Sequence, residues 1–177
     1  HLLVEAANTL CLRFNQKLGL IRSWGSAYDK RDFLVIPDNI EEIGEYAFDG
    51  VPLYDLHIPK SVTSAERWAF SGCDNLKSIT VDEDNPAYTS PAGSNVLLTK
   101  DGKTLIKGCP TSVIPQGVTT IGEGAFSRVN FTNSCLYLPE GLKGIDHMAF
   151  YGCTNLYQVT VPSSVEYISE HRSEEVV

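Results

Sequence analysis

Positive charge is scarce in this sequence. Among 177 residues, 14 are Lys or Arg against 22 Asp or Glu, a net charge of −8. Binding to a phosphate backbone requires a positive footprint, so nucleic acid is excluded as a partner class. The same deficit argues against an anionic membrane surface. Apolar runs are also short, and none approaches the roughly 18 residues that a membrane-crossing helix requires. The five cysteines, Cys11, Cys73, Cys109, Cys135 and Cys153, form no Cys-x-x-Cys pair and show no metal-ligand spacing. His57 and His147 lie far apart, with no His-x-x-x-His pattern and no nucleophile elbow. General-base chemistry needs a partner within hydrogen-bond reach, so both histidines read as surface residues. The chain opens at His1 without methionine, a basic leader or a cleavage-site pattern, as a mature form or a fragment would.

What the sequence does have is a repeat. The stretch Ile36-Pro37-Asp38-Asn39-Ile40-Glu41-Glu42-Ile43-Gly44-Glu45-Tyr46-Ala47-Phe48-Asp49-Gly50 sets a template: aliphatic-Pro, two spaced aliphatics, then Ala-Phe and Gly. It returns from Ile58-Pro59 to Ala69-Phe70, from Ile114-Pro115 to Ala125-Phe126, and from Leu138-Pro139 to Ala149-Phe150. A fifth copy opens at Val161-Pro162 and stops before any Ala-Phe. The period in the low twenties, broken by one wide interval between Pro59 and Pro115, is that of a solenoid coil. The chain alternates apolar, polar, apolar before the template prolines, in Leu56-His57-Ile58, Leu136-Tyr137-Leu138 and Val159-Thr160-Val161, and also in Ile79-Thr80-Val81, which leads into the insert without a proline. Half-buried strands require that alternation, and stacked coils would align them as a parallel sheet. Proline cannot donate to the ladder and ends each strand. Gly44, Gly122 and Gly144 mark either a left-handed turn or a close backbone approach. Phe48, Phe70, Phe126 and Phe150 are expected to stack as a core ladder. Cys73 and Cys153, at one template position, are expected to fill tight corners as small apolar side chains.

Three segments depart from the template. Residues 1–30 carry apolar positions at Leu3, Ala6, Ala7 and Leu10, a helical stripe, and are expected to form a helical cap over the open end of the solenoid. Leu20 to Trp24 reads as short and extended, with Trp24 packing the cap onto the first coil. The solenoid spans 31–170 and contains an insert at 82–113; Asp101-Gly102 between two apolar runs predicts a hairpin over 96–106 that projects from its coil. Residues 171–177 are a charged tail. The fold class is thus a mostly β solenoid, with short parallel strands on one curved face and irregular turns on the other.

Candidate ligand-binding chemistry is sparse. Asp82-Glu83-Asp84-Asn85 offers hard oxygen ligands for calcium but lacks the EF-hand spacing, and a solvated acidic turn is favoured. Asn130-Phe131-Thr132 is a glycosylation sequon, meaningful only in a eukaryotic secretory host. The outward strand positions Val35, His57, Thr80, Tyr137 and Thr160, flanked by Tyr54, Lys77 and Tyr157, form an exposed ladder. Tyrosine is enriched at interaction hot spots, so this ladder is the candidate protein-binding face; an ordinary solvated sheet face is the alternative.

The combination Ile-Pro-x-x-Val-x-x-Ile-Gly-x-x-Ala-Phe-x-Gly-Cys-x-x-Leu-x-x-Ile resembles the BspA-type (Treponema-type) leucine-rich repeat, over roughly residues 33–168. The insert from Val81 to Leu105 resembles the long interlude common in that family. The likeness implies a right-handed solenoid on secreted or surface proteins of anaerobic bacteria and some protists. It further implies an adhesive or host-contact role without catalytic residues or cofactor, and as partner a host extracellular protein or glycan. Departures are Ala65 for the inward Ile, Ser127-Arg128-Val129 for Ser-Gly-Cys, and the incomplete last coil. A second likeness is shorter: Arg13 to Trp24 with Val35 to Asn39 is similar to the opening of unsaturated glucuronyl hydrolases, which would make Asp38 a catalytic carboxylate. Such chemistry needs a second carboxylate at a defined separation, and none is identifiable. The alternative function is therefore an accessory, non-catalytic domain of a carbohydrate-active surface enzyme.

Overall fold

A regular coil makes two short strands with a proline turn between them. The computed structural model describes residues 14–15, 20–21, 36–51, 53–132 and 135–169. On the first face β4 (Asp55–Ile58) pairs in parallel with β6 (Ser78–Val81), and β11 (Cys135–Tyr137) with β13 (Gln158–Thr160). After each proline the chain closes a tight turn: Ile40, Val62, Leu142 and Val165 donate their N–H groups to Pro37, Pro59, Pro139 and Pro162 at 3.0–3.2 Å. A second strand follows, as β3 (Glu42–Ile43), β5 (Ser64–Ala65), β10 (Thr120–Ile121), β12 (Gly144–Ile145) and β14 (Tyr167–Ile168). These also pair in parallel, β3 with β5, β10 with β12, and β12 with β14. The result is a β-solenoid of about five turns.

The Ala-Phe turn locks one coil to the next. The N–H of Phe48 bonds the carbonyl of Ala69 and that of Phe126 the carbonyl of Ala149, both at 2.7 Å. Phe48 stacks on Phe70 at 5.6 Å between centroids, and Phe126 on Phe150 at 5.4 Å, each pair 4° from coplanar. The turn needs left-handed backbone two residues after Phe; Gly50, Gly72 and Gly152 supply it, and Arg128 adopts the same conformation at φ 58°. The Ser-Arg-Val departure therefore keeps the turn. Gly44, Gly122 and Gly144 are not left-handed. Close approach is the reason at two of them: an added Cβ would lie 2.7 Å from the Leu105 carbonyl at Gly122 and 2.1 Å from the Tyr167 ring at Gly144.

The described part of the expected helical cap is strand, and Leu20–Ile21 falls in the stretch expected to be extended. β1 (Phe14–Asn15) and β2 (Leu20–Ile21) form an antiparallel pair, and β2 continues the parallel ladder onto β3. No helix occurs among the described residues; the helical stripe at the start of the chain and Trp24 lie outside them. An extended edge explains the strand, because β3 would otherwise leave a row of unpaired backbone groups.

The insert does not project. It comprises β7 (Tyr88–Thr89), β8 (Val96–Thr99) and β9 (Thr104–Gly108), paired antiparallel in order, and β9 then pairs in parallel with β10. Its hairpin is a buried wall. Leu97 and Ile106 pack into the core of the preceding coils, while Val96, Leu98 and Leu105 pack into that of the following ones. Adjacent residues of a strand point to opposite faces, so an unbroken Val-Leu-Leu run belongs on a strand buried on both sides. The coil it completes is short. Thr63 Oγ1 bonds the Glu41 carbonyl 22 residues away, but the equivalent bond from Thr119 reaches Lys103 across only 16. This coil has no Ala-Phe turn. Gly108 donates to Ala125 where other coils have Phe, and an added Cβ there would lie 2.0 Å from the Phe126 ring. The Phe ladder is accordingly two stacked pairs separated by Lys107-Gly108.

Two substitutions test this packing in urea denaturation. Phe126→Ala should cost about 3–5 kcal/mol through cavity formation, and Gly108→Ala about 1–3 kcal/mol by overpacking against the same ring. A Gly108→Ala protein as stable as the parent would contradict the described contact.

Candidate functional site

The outward ladder is real in its parts but not continuous. His57 and Thr80 are register partners on β4 and β6, as are Tyr137 and Thr160 on β11 and β13. All four are exposed, and their inward neighbours are buried or half-buried except Val161, which is itself exposed beside Thr160. His57 Nδ1 and Thr80 Oγ1 share a 3.0 Å hydrogen bond. The Lys77 ammonium sits 5.3 Å over the half-buried Tyr54 ring, a cation–π contact that holds both side chains against the sheet. Tyr137 and Tyr157 are 76% and 82% exposed, more than any other large apolar or aromatic side chain among the described residues. Val35 lies outside the described residues. The short coil separates the two halves, because it contributes no strand between β6 and β11; Thr111 instead ties down the edge with a 2.8 Å bond to the Lys77 carbonyl.

Other sequence candidates take structural roles. Asn85, in the acidic run, is fully buried. Its amide nitrogen donates to Pro59 and Val62 carbonyls at 2.7 and 2.9 Å, and its oxygen accepts from the Ala87 and Tyr88 N–H groups. All its polar capacity goes to the protein, so it bolts the insert onto coil two and cannot serve as an ion ligand. Tyr88 caps the same junction: its hydroxyl accepts the Ala65 N–H at 2.6 Å, at the edge of β5 that no strand covers. Burial pushes the Tyr88 phenol upward. Asp38 is exposed in the turn closed by Pro37 and Ile40. His147 is half-buried rather than on the surface. Cys73 is buried and Cys153 half-buried, their thiols bonding the Phe48 and Phe126 carbonyls at 3.3 and 3.0 Å. Burial pushes the Cys73 thiol to about 12, so it is inert as a nucleophile.

Sequence reasoning missed Lys107. It is 2% exposed, and its Nζ has no hydrogen-bond partner. Desolvation pushes its pKa down, offset in part by Cys73 and Asp74. Burial likewise raises the Asp74 carboxyl, with Arg128 and Lys107 opposing. The available signal was alignment: Lys107-Gly108 occupies the Ala-Phe slot of the template.

With this geometry in view, the chain belongs to a known class of repeat protein. The BspA type leucine rich repeat region, in six copies, matches residues 27–92 and 106–173, and the chain is a member of that family. Among solved structures it is similar to the pneumococcal vaccine antigen PcpA, at 27% identity and a TM-score of 0.57, covering 64% of this chain and 28% of that one. It shares its fold with a leucine-rich repeat protein from Eubacterium ventriosum, at 17% identity and a TM-score of 0.52, covering 77% of this chain and 62% of the other. The chain thus spans less than two thirds of either protein. No curated protein matches it. Nothing in these likenesses supports a glucuronyl hydrolase, and Asp38 is explained by the repeat's own turn.

Lys107→Met should stabilise the protein, since it removes a buried amine that lacks a partner. The sign with pH follows from the lowered pKa. The unfolded chain binds the Lys107 proton up to its ordinary pKa of 10.5, whereas the folded chain releases it at lower pH. The advantage of Met is therefore full below the folded pKa and shrinks as pH rises toward 10.5. Urea midpoints of both proteins between pH 7 and 10.5 check it, and a gap that does not narrow would contradict the assignment.

Proposed function

We propose that this chain is a non-catalytic, extracellular binding module of a surface or secreted protein, using the sheet face to hold a protein ligand. The observation that carries this reading is the pair Tyr137 and Tyr157, left almost wholly in solvent on and beside β11 and β13. The fold does not use them: their inward neighbours, Leu136 and Leu156, do the packing. Large rigid aromatic side chains bury much area at low entropic cost when a partner docks. The patch formed by Tyr54, His57, Lys77 and Thr80 adds polar complementarity, and the outward residues of β11 and β13, ending at Thr160, extend it. The similarity to a protein described as a vaccine antigen supports a location exposed at the cell surface. So does family membership, since repeats of this type are generally found on surface and secreted proteins. No helix among the described residues is long and apolar enough to cross a membrane.

The test is a biosensor panel of host matrix proteins and glycans against the purified chain. For the tightest binder, Tyr137→Ala and Tyr157→Ala should each weaken affinity at least about tenfold, the effect of removing an aromatic anchor. Substitution of His57 or Thr80 should cost less. Parental affinity in both tyrosine variants would contradict the reading.

A further inference from the structure

The short coil leaves a cleft on the turn side of the solenoid. The Ala-Phe turns of coils two and four have no counterpart between them, and the gap holds a partly open cavity of about 190 Å³. Trp68 forms one wall. Its indole N–H donates to Glu123 Oε1 at 2.9 Å, and its ring lies against Gly124, where an added Cβ would come within 2.5 Å of Cζ3. Ile106 lies in the floor, and the carboxylates of Glu66, Glu123 and Asp146 line the cleft from three different coils. Each carboxylate has a local partner that fixes it, the Glu45 N–H, the Trp68 indole and the Tyr167 hydroxyl respectively, and each keeps acceptor capacity to spare. Arg67 is the one cation at the rim. Its guanidinium stands 3.9 Å from Glu123, and its side chain is 70% exposed. Lys107 also lines the cleft, but its Nζ is buried, and the charges acting on that amine are Cys73, Asp74, Cys153 and Cys109 rather than any of the three cleft carboxylates.

We propose that this cleft receives a single cationic side chain, lysine or arginine, from a partner protein. Three arguments select that occupant. The cavity is smaller than the roughly 300–1,000 Å³ typical of pockets for whole small molecules, and suits one long side chain. Its polar lining consists mainly of fixed acceptors beside an indole, the surroundings that favour an ammonium or guanidinium through charge-assisted hydrogen bonds and cation–π attraction. The chain as a whole carries 22 acidic against 14 basic residues, which steers a basic partner toward it. The inference rests on the protein-binding reading above, and adds a second contact on a different side of the molecule.

The sequence has two tryptophans, so Trp24→Phe leaves Trp68 as the sole indole reporter. In that background N-acetyl-arginine amide should produce a saturable change in Trp68 fluorescence, with a dissociation constant on the order of 1 mM for so small a contact. N-acetyl-glutamine amide, neutral at its tip, should bind at least tenfold more weakly. Glu123→Gln keeps an acceptor for the indole, and with Asp146→Asn it should weaken the arginine probe about tenfold. Equal responses to both probes, no saturable response, or unchanged binding in the neutralised variants would overturn the proposal. Tyr137→Ala should bind the probe as the parent does, and a loss there would place the probe on the sheet and overturn the cleft. The titration uses no natural partner, so its failure would remove the cleft while leaving the sheet-face reading standing.

Discussion

Hydrogen bonds from one coil to the next sustain everything else in this molecule. A two-residue strand such as Glu42–Ile43 or Gly144–Ile145 has no stability of its own and exists only because a copy lies on its flank. The Phe48 and Phe126 amides reach across to Ala69 and Ala149, and the rings below them stack in the same direction. Repetition of sequence thereby becomes repetition of structure, and each coil is a boundary condition for its neighbours. Binding residues inherit the arrangement: Tyr137 and Thr160 face solvent together because their strands are in register, not because anything joins their side chains.

One coil breaks the pattern and shapes both candidate surfaces. Where the template would place strand, turn and Phe, the chain spends its residues on a hairpin buried on both faces. On the strand side the sheet divides into two pairs of strands, with the tyrosines on the second pair. On the turn side a cleft opens, walled by Trp68. The same economy leaves Lys107 in a slot built for alanine. A buried amine without a partner is a stability cost. The insert thus exchanges regularity for two distinct features on one scaffold, a broken sheet face and a lined cavity.

Much of this architecture was legible in the sequence. The prolines mark strand ends, the Ala-Phe pairs mark turns, and Asp101-Gly102 falls between the two strands of the hairpin. Those features are local, and their physics is local too. What could not be read depended on contacts between coils. Whether the hairpin projects or packs depends on which neighbours flank its two faces, although the unbroken run Val96-Leu97-Leu98 hinted at burial on both. Asn85 looked like part of an acidic turn because two of its four backbone partners, Pro59 and Val62, lie more than twenty residues away and only folding brings them to it. The ladder was identified residue by residue, but its interruption follows from the 16-residue coil, which the wide proline interval disguised as an enlarged one. Trp68, Glu123 and Asp146 sit on three coils and carry no shared motif, so no spacing could have found the cleft.

The central claim is that the hairpin wall joins the two cores into one cooperative unit. Native-state hydrogen exchange at the Phe48 and Phe126 amides in a Leu97→Ala variant tests it most directly, since Leu97 belongs to the first core and Phe126 to the second. The account predicts that both amides lose protection by the same free energy as the protein loses global stability. Lost protection at Phe48 with unchanged protection at Phe126 would contradict it, showing two halves that fold independently.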